Sequence, residues 1–277
     1  ILHHRDAQIF THGKYVGYPV ENHLYQFPRK LSVEIGKELL KKTWDPDHAS
    51  NFNDFLLHKF GKTLFEVYFQ PYNEKIWNYD LKQIPLPWLE DKLPDPNTRE
   101  ILLNNIFRKA EKKTVHSAFY YPREGGSSFL ANRLSEGSEI IYHTSVEWME
   151  RTDNRWKING ERFDAVIYTG DVRKLKNSLG NIAPGIRESV EKLQHLPSNG
   201  TSNVLCYTDE TGLSWLYLPD KEYLCHRIVY TGNFSPANNG NDRKTCLVEF
   251  SGKVDEAVMR EQLKLLPGNL SPIAFNY

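Results

Sequence analysis

The segment 69–77, with the sequence FQPYNEKIW, brings two ring systems and an amide close together: Tyr72, Asn73 and Trp77. An aromatic face stacks on a nucleobase for about 1–3 kcal/mol, and an amide can hydrogen-bond to the edge of the base. These residue types predict a nucleobase pocket. Packing of the rings into an apolar core is the other interpretation that the pattern permits.

A phenol and a guanidinium follow on neighbouring predicted strands, Tyr217 in the segment WLYLP and Arg227 shortly after it. The arginine fork matches the oxygens of a diphosphate, and a tyrosine hydroxyl can add a further donor. Diphosphate binding is therefore one interpretation. A cross-strand pair at the surface is the other.

Paired glycines, Gly125 and Gly126, form a loop before a predicted helix over 128–134. Glycine lets the backbone approach a ligand closely, but a tight turn requires glycine equally. Because either reason accounts for the pair, the loop predicts a ligand contact only in combination with other motifs.

The signatures of common catalytic and nucleotide sites are absent from the sequence: GxSxG, HExxH, GxxxxGK[ST] and GxGxxG. His3 and His4 have no further ligand at metal spacing nearby, so we expect a solvated pair and no metal site. The three cysteines are odd in number and contain no CxxC pair, which argues against a disulfide scaffold or a zinc site. We therefore expect a reducing, cytoplasmic location.

The charges of the chain balance, with 35 basic and 35 acidic residues among 277. A neutral chain has no global field that would attract nucleic acid or an anionic membrane. No stretch approaches the roughly 20 apolar residues of a membrane span. We therefore expect no nucleic-acid partner and no membrane insertion, and self-association into a homo-oligomer stays open.

The first part of the chain predicts a hairpin and then helices. Aromatic and β-branched residues around Gly13 and Gly17 predict an edge hairpin within 8–27. Helical periodicity follows, with Ser32 as an N-cap of the first helix. The further predicted helices are 53–60 ending at Gly61, 63–69 ending before Pro71, and 99–113 capped by residues 97–98.

The second part of the chain predicts mainly strands. Alternating or continuous apolar runs predict strands at 138–149, 155–158, 162–169, 203–207, 214–218, 226–230 and 245–251. Helices are predicted at 185–193 and 255–265. The last four strands are closely spaced, which indicates an antiparallel sheet, and the fold class is therefore α+β.

The order of these motifs resembles that of the UDP-galactopyranose mutases, especially their eukaryotic-like branch. The resemblance spans nearly the whole chain. It is carried by Arg5, by GYPVEN at 17–22, by 55–61, by PYNEKIW at 71–77, by WLEDKL at 88–93, by YPREGG at 121–126, by WLYLP at 215–219 and by Arg227 through NFSP at 233–236.

The resemblance implies an FAD-dependent, mutase-like fold from which the N-terminal Rossmann unit and the last flavin-contacting segment are missing. We therefore expect an internal fragment whose FAD-binding domain is incomplete. Its implied divisions are edge strands of the substrate sheet in 1–27, a helical substrate subdomain in 28–113, part of the flavin domain in 114–195, and an antiparallel substrate sheet in 196–277.

The resemblance also implies the roles of individual residues. Arg227 and Lys92 would be catalytic, and Gly125, Gly126 and Val146 would contact the flavin. The implied contacts to the UDP-sugar come from Tyr18, Glu21, Tyr68, Tyr72, Asn73, Trp77, Tyr217, Arg227 and Phe234.

Four positions depart from the family pattern. Lys92 stands where a mobile-loop arginine is expected, Glu21 where a glutamine is expected, and Phe234 where a tyrosine is expected. Tyr120 replaces an arginine before the paired glycines. A lysine is a point charge without a fork, and an ionised glutamate cannot donate a hydrogen bond, so these changes affect the expected substrate more than the ligand class.

The implied activity is isomerisation of a UDP-sugar between pyranose and furanose through an adduct at N5 of reduced FAD. Because the cofactor performs the covalent chemistry, no protein nucleophile is required. We expect the fragment to lose FAD and to be inactive. Two alternatives stay open: a flavin oxidoreductase of the amine-oxidase superfamily, and a non-catalytic protein that binds sugar nucleotides.

Overall fold

The computed structural model describes residues 1–41, 49–89, 97–109, 117–180, 184–240 and 242–277. The chain forms two compact units, one made of 1–134 with 199–277 and the other of 135–198. The α+β class predicted from the sequence is confirmed, because both units combine helices with antiparallel or mixed sheets.

Strands and helices alternate irregularly along the chain. The strands are β1 (Leu2–His4), β2 (Ala7–Thr11), β3 (Lys14–Gly17), β4 (Ala118–Tyr120), β5 (Met149–Thr152), β6 (Arg155–Ile158), β7 (Glu161–Phe163), β8 (Thr201–Thr208), β9 (Trp215–Tyr217), β10 (Cys225–Val229), β11 (Lys244–Ser251) and β12 (Ser271–Asn276). The α-helices are α1 (Arg29–Lys41), α2 (Phe52–Phe60), α3 (Lys62–Leu64), α4 (Gln70–Trp77), α5 (Thr98–Phe107), α6 (Ser128–Ser135), α7 (Leu175–Ser178), α8 (Pro184–Leu193) and α9 (Glu256–Leu263).

A seven-stranded sheet dominates the larger unit, with the strand order β12-β8-β11-β10-β9-β2-β3. The predicted hairpin is β2–β3, which turns at His12 and Gly13 with φ of 53° and 68°. Adjacent strands are antiparallel except β2 and β9, which run parallel. The sheet therefore joins the N-terminal hairpin to the strands after residue 200, and it brings distant parts of the sequence together.

Helices α1 to α5 pack against one side of this sheet through an apolar core that contains Ile9, Ile35, Leu56, Leu64 and Ile101. On burial of about 100 Å² or more of apolar surface, each such side chain stabilises the fold by about 2–3 kcal/mol. A second core lies around β8, β10 and β11, where α9 contributes Met259 and Leu263.

The predicted helix start at Ser32 is wrong. Helix α1 begins at Arg29, and the Ser32 hydroxyl donates to the carbonyl oxygens of Leu24 and Phe27, at 2.6 and 3.2 Å. Pro28 precedes the helix and can start it, since the first turn needs no backbone donor. By contrast, Asn51 and Asn97 cap α2 and α5 by accepting from backbone N–H groups, and Gly61 ends α2 with φ of 86°.

The predicted break at Pro71 is also wrong. Helix α3 runs through a π-helical segment, Phe65–Phe69, directly into α4. Within a regular α-helix, proline lacks the N–H donor and clashes with the preceding turn. The π segment shifts the bonding so that the Gln70 N–H donates to Phe65 O, and Pro71 then lies in the first turn of α4. Tyr72, Asn73 and Trp77 therefore lie on a helix and not in a turn after one.

The smaller unit contains the antiparallel sheet β5-β6-β7 with helices α7 and α8. Its two turns, at 153–154 and 159–160, have positive φ at all four residues, as is typical of tight hairpin turns. Val190 of α8 and Met149 of β5 are buried in this unit.

Two predicted strands in the smaller unit are wrong in extent. In 138–149 only the last residue, Met149, is in a strand, and in 162–169 only 162 and 163 are. The apolar pattern predicts strands, but a strand also needs a hydrogen-bonded neighbour, and no described strand pairs with 138–148 or 164–169. Ile167 is accordingly 88% exposed.

No helix among the described residues is long and apolar enough to cross a membrane. The described part of the chain also contains no cluster of three or more His, Cys, Asp or Glu residues suited to a metal ion. All three cysteines are free and buried.

Candidate functional site

Four tyrosines from separate elements of the larger unit meet at one end of α4. Tyr68 and Tyr72, one helical turn apart, stack with ring centroids 5.5 Å apart and an interplanar angle of 14°. Tyr217 of β9 approaches Tyr72 edge-on at 5.7 Å, and Tyr18, just after β3, lies 5.0 Å from Tyr217. Rings at these distances attract one another and form a rigid aromatic wall.

Arg227 lies beside this wall, because it is the antiparallel partner of Tyr217 across β9 and β10. On its other side, its Nε donates to Oε2 of Glu249 on β11, which is only 15% exposed. Burial lowers the pKa of Arg227, but the Glu249 carboxylate outweighs this effect and raises it, so the guanidinium stays charged. Since Nε alone donates to Glu249, the other nitrogens of the fork can bind an anion.

Burial, together with two neighbouring cations, keeps His226 neutral. Its Nε2 lies 3.7 Å from Glu249 Oε2, yet its pKa falls to about 4 because of burial, followed by the charges of Arg227 and Lys75. At neutral pH Glu249 therefore compensates Arg227 and not His226.

Lys75 connects the helix to the strands that carry the site. Its Nζ donates to Leu218 O at 2.6 Å and to Asp220 O at 2.8 Å, with Cys225 O further away at 3.4 Å. Burial lowers the pKa of Lys75 to about 8. The cation thus holds α4, which carries Tyr72, against the ends of β9 and β10.

Arg5 forms the opposite edge of the aromatic wall. Its Nη2 donates to the Tyr217 hydroxyl at 2.7 Å, and its guanidinium carbon lies 4.5 Å from the centre of the Tyr18 ring. The Trp215 ring is 5.4 Å away. The guanidinium therefore lies over two aromatic rings, an arrangement that favours a cation.

The remaining residues predicted for the uridine end lie around the same wall. Glu21 is buried and close enough to Tyr18 and Tyr68 for its charge to act on both phenols. The Asn73 amide donates to Phe69 O at 2.7 Å, so its N–H is used within the helix. Trp77 is partly buried against the helical core. The alternative interpretation of the segment 69–77 was that its rings pack into a core. That interpretation is therefore also correct for part of the segment.

Burial raises the pKa values of the wall phenols. The pKa values of Tyr68 and Tyr72 lie well above the usual value because of burial, with the neighbouring phenols adding to the effect. The pKa of Tyr18 is raised for the same reason, although Arg5 opposes the shift. At neutral pH these groups are therefore neutral hydroxyls, which can bind a ligand but do not act as bases.

Phe234 lies in a second aromatic cluster beside the first. Its ring is 5.3 Å from Trp215, 5.0 Å from Phe119 and 5.4 Å from Tyr121. His3 stacks on Phe119 at 5.4 Å, so the expectation that both histidines are solvated is wrong for His3. Trp215 links the two clusters, because it also faces Arg5.

The paired glycines have left-handed backbones, with φ of 77° at Gly125 and 55° at Gly126. A Cβ on Gly125 would lie 3.3 Å from Phe129 Cβ at the start of α6. The loop is anchored to the sheet region by Ser235, whose hydroxyl donates to Arg123 O. The turn itself therefore needs glycine.

The remaining predicted site residues are Val146 and Lys92. Val146 belongs to the smaller unit, where it is 46% exposed. Lys92 lies outside the described residues.

Sequence reasoning named Arg5 and Lys75 only as members of motifs and did not identify Glu249. Lys75 lies within the segment that carries Tyr72, but its partners are distant carbonyl groups that no motif marks. Glu249 faces Arg227 through the register of β10 and β11. The sequence does show a carboxylate in the neighbouring strand, but the strand register is needed to know that it faces Arg227.

No family model matches the sequence. The structure is similar to the crystal structure of reduced UDP-galactopyranose mutase, with a TM-score of 0.86 and 16% sequence identity over 100% of this chain and 66% of the mutase chain. It is also similar to a protein from an Exiguobacterium species whose proposed activity is protoporphyrinogen oxidase (TM-score 0.64, 14% identity, 99% and 67% coverage). A third similar structure is the CLA-producing fatty acid isomerase from P. acnes (TM-score 0.58, 10% identity, 99% and 67% coverage).

The chain spans about two thirds of the length of each of these proteins. At such low identities the similarity establishes the fold and not the activity. The chain therefore shares the mixed α+β fold of UDP-galactopyranose mutase.

Proposed function

We propose that the aromatic wall and Arg227 bind the uridine diphosphate part of a UDP-sugar. The single observation that carries this proposal is the convergence of Tyr72 and Arg227 on Tyr217: the Tyr72 ring is 5.7 Å from it, and Arg227 is its cross-strand partner. A ring face and a guanidinium fork beside each other match the two chemical ends of a nucleoside diphosphate, and we call the proposed binding region between them the cleft.

In this proposal the uracil ring packs against Tyr18, Tyr68 and Tyr72 of the wall, with Trp77 beside them. Arg227 and the Tyr217 hydroxyl bind the diphosphate. Glu249 orients Arg227 by occupying its Nε, so that the free nitrogens point along a defined direction. Lys92 and Phe234 are proposed to contact the phosphate and sugar portions, as the resemblance implies.

We further propose that the protein is a flavin-dependent isomerase of UDP-sugars, an activity that requires a chain of mutase length. Gly125, Gly126 and Val146 are the residues of this chain proposed to contact FAD. Reduced flavin, when bound, would supply the covalent chemistry at the sugar. The residues of the cleft would hold the diphosphate and orient the sugar, which is consistent with phenols that stay neutral.

Isothermal titration calorimetry with UDP, UDP-galactose and uridine tests the binding proposal on the present chain. Tyr72→Leu should weaken UDP binding about 5- to 100-fold, since it removes a stacking face worth about 1–3 kcal/mol. Arg227→Lys keeps a cation beside Glu249 but loses the fork. It should therefore weaken UDP binding and leave uridine binding unchanged.

The matched control is Tyr79→Leu. Tyr79 lies just after α4, is 40% exposed and donates to Gln83 at 2.7 Å, outside the wall. The proposal fails if the wild-type chain binds no UDP, or if Tyr72→Leu and Tyr79→Leu reduce UDP affinity equally.

The oxidoreductase alternative is separated from isomerisation by the electron balance of turnover with flavin bound. An isomerase requires its flavin to be reduced but consumes no electrons per turnover. Net reduction of an acceptor in step with loss of the substrate would instead favour the oxidoreductase.

A further inference from the structure

We infer that Arg5 is a second anion-binding residue of this cleft, which contacts the phosphate end of the ligand directly and also positions the Tyr217 hydroxyl. The inference deepens the proposed function and rests on it. Arg5 and Arg227 both flank Tyr217, Arg5 through a 2.7 Å hydrogen bond to its hydroxyl and Arg227 from the neighbouring strand.

The first argument is charge balance. Arg227 has a carboxylate partner in Glu249, whereas no ion pair to Arg5 occurs among the described residues. Arg5 is partly buried among the rings of Tyr18 and Trp215. A cation partly removed from water without a counter-ion is costly, and an anionic ligand would compensate it.

The second argument is the hydrogen-bonding capacity of Arg5. A guanidinium has five N–H donors, and one of them is used by the Tyr217 hydroxyl. Its Nε is inaccessible to solvent and has no hydrogen-bond partner. Because Nε is closed off, the donors left for a ligand are those of the two Nη atoms, next to the phenol that we assign to the phosphates.

The third argument is the rigid placement of Arg5. Its backbone N–H donates to Ser117 O at 2.9 Å, and β1, which precedes it, pairs with β4. Asp6, the next residue, accepts through its carbonyl oxygen from the backbone N–H of Ser214, which precedes β9. Main-chain bonds on both sides hold the side chain in position before a ligand binds, which lowers the entropy cost of binding.

The experiment measures the affinity of the chain for UDP, uridine and inorganic pyrophosphate by calorimetry. Arg5→Gln should weaken UDP and pyrophosphate binding about 10- to 100-fold, the range for one or two charge-assisted hydrogen bonds, and leave uridine binding unchanged. Arg5→Lys, which keeps the charge, should lose less. Arg5→Gln should also reduce the salt dependence of pyrophosphate binding, because one cation is removed.

The control is Arg243→Gln. Arg243 also lies over a tyrosine, 5.2 Å from the Tyr207 ring, and also donates to a hydroxyl, that of Ser271 at 3.3 Å. It lies far from the wall in the strand order, beside β8 and β12. Its loss should leave all three affinities unchanged, and thermal unfolding by circular dichroism reports whether each variant is folded.

Direct contact is separated from an indirect effect by Tyr217→Phe. If Arg5 contacts the phosphate, Arg5→Gln weakens pyrophosphate binding further in the Tyr217→Phe background. If the double variant is no weaker than Tyr217→Phe alone, the inference is overturned.

Failure of the proposed function gives a different pattern. If the wild-type chain binds pyrophosphate but not uridine or UDP, the nucleotide proposal fails, while loss of pyrophosphate binding in Arg5→Gln still supports the anion site. If the wild-type chain binds none of the three ligands, both proposals fail.

Discussion

Lys75 provides the sharpest test of how the site is assembled. It is the cation that connects α4, with Tyr72, to the ends of β9 and β10, with Tyr217 and Arg227. Lys75→Met keeps most of the apolar stem and removes the charge and its donors. The expected result is a less stable chain whose two halves of the cleft are less firmly joined.

The magnitude follows from two opposing effects. Two short bonds, to Leu218 O and Asp220 O, are lost, and each carbonyl left without a donor costs about 1–3 kcal/mol. Against this, the pKa of Lys75 falls from 10.5 to about 8, so removing the buried charge recovers about 3 kcal/mol at about 1.4 kcal/mol per pKa unit. The net change at pH 7 is therefore centred on a loss of about 1 kcal/mol, within a range from a gain of about 1 kcal/mol to a loss of about 3 kcal/mol.

The pH dependence of this loss has a defined sign. Because the pKa of Lys75 is lower in the folded chain than in the unfolded chain, the unfolded state binds more protons between pH 8 and 10.5. The contribution of this group to wild-type stability therefore rises with pH through that window. The methionine variant has no such contribution, so the stability gap should widen from pH 7 to pH 9.5.

Urea unfolding of both chains at pH 7 and pH 9.5 measures the gap. Lys62→Met is the matched control, because the Lys62 side chain is 73% exposed and forms only a surface ion pair with Glu66 at 3.7 Å. Lys62→Met should change the free energy of unfolding by less than about 0.5 kcal/mol. The reasoning is refuted if Lys75→Met is as mild as this control at pH 9.5, or if the gap narrows as the pH rises.

Two further outcomes follow from the geometry. The pKa of His226 falls from 6.5 to about 4 in the folded chain. Its contribution to the free energy of unfolding is therefore complete above pH 6.5 and is lost, by up to about 3 kcal/mol, as the pH falls through 4. In urea unfolding, the stability of His226→Asn should fall less steeply with acid than that of the wild type. Gly125→Ala should lower the free energy of unfolding by about 1–2 kcal/mol, because φ is 77° and the new Cβ would crowd Phe129. Gly185→Ala is the control: its Cβ would lie in open space, so thermal unfolding should show a neutral or stabilising effect. Equal effects of the two alanines would contradict the strain argument.

Local patterns predict the local elements of this chain well. The strands after residue 200 and the helix ends at Gly61 and Asn97 follow from alternation and capping, which neighbouring residues determine. The start of α1 was misplaced because Ser32 has a hydroxyl suited to capping but uses it on the carbonyl groups of Leu24 and Phe27.

The errors arise where distant contacts decide the outcome. Pro71 predicts a helix end, yet a π segment accommodates it within a continuous helix. The run 164–169 is apolar enough for a buried strand, but no described strand pairs with it. In both cases the sequence shows the tendency, and the surrounding structure determines whether the tendency is realised.

The candidate site shows the same division. Tyr72, Tyr217 and Arg227 could be named from residue type and motif order. The Arg227–Glu249 pair and the contacts of Lys75 depend on strand register and on packing between elements far apart in the chain. Neither feature is encoded within a short window of sequence.

The most direct test of the central claim is a crystal structure of the chain with UDP. The account predicts density for the uracil ring against the tyrosine wall near Tyr72, with the diphosphate within hydrogen-bonding distance, about 2.8 Å, of Arg227 and Arg5. Density for UDP at a surface remote from Tyr217, or contacts to only one of the two ends, would contradict it.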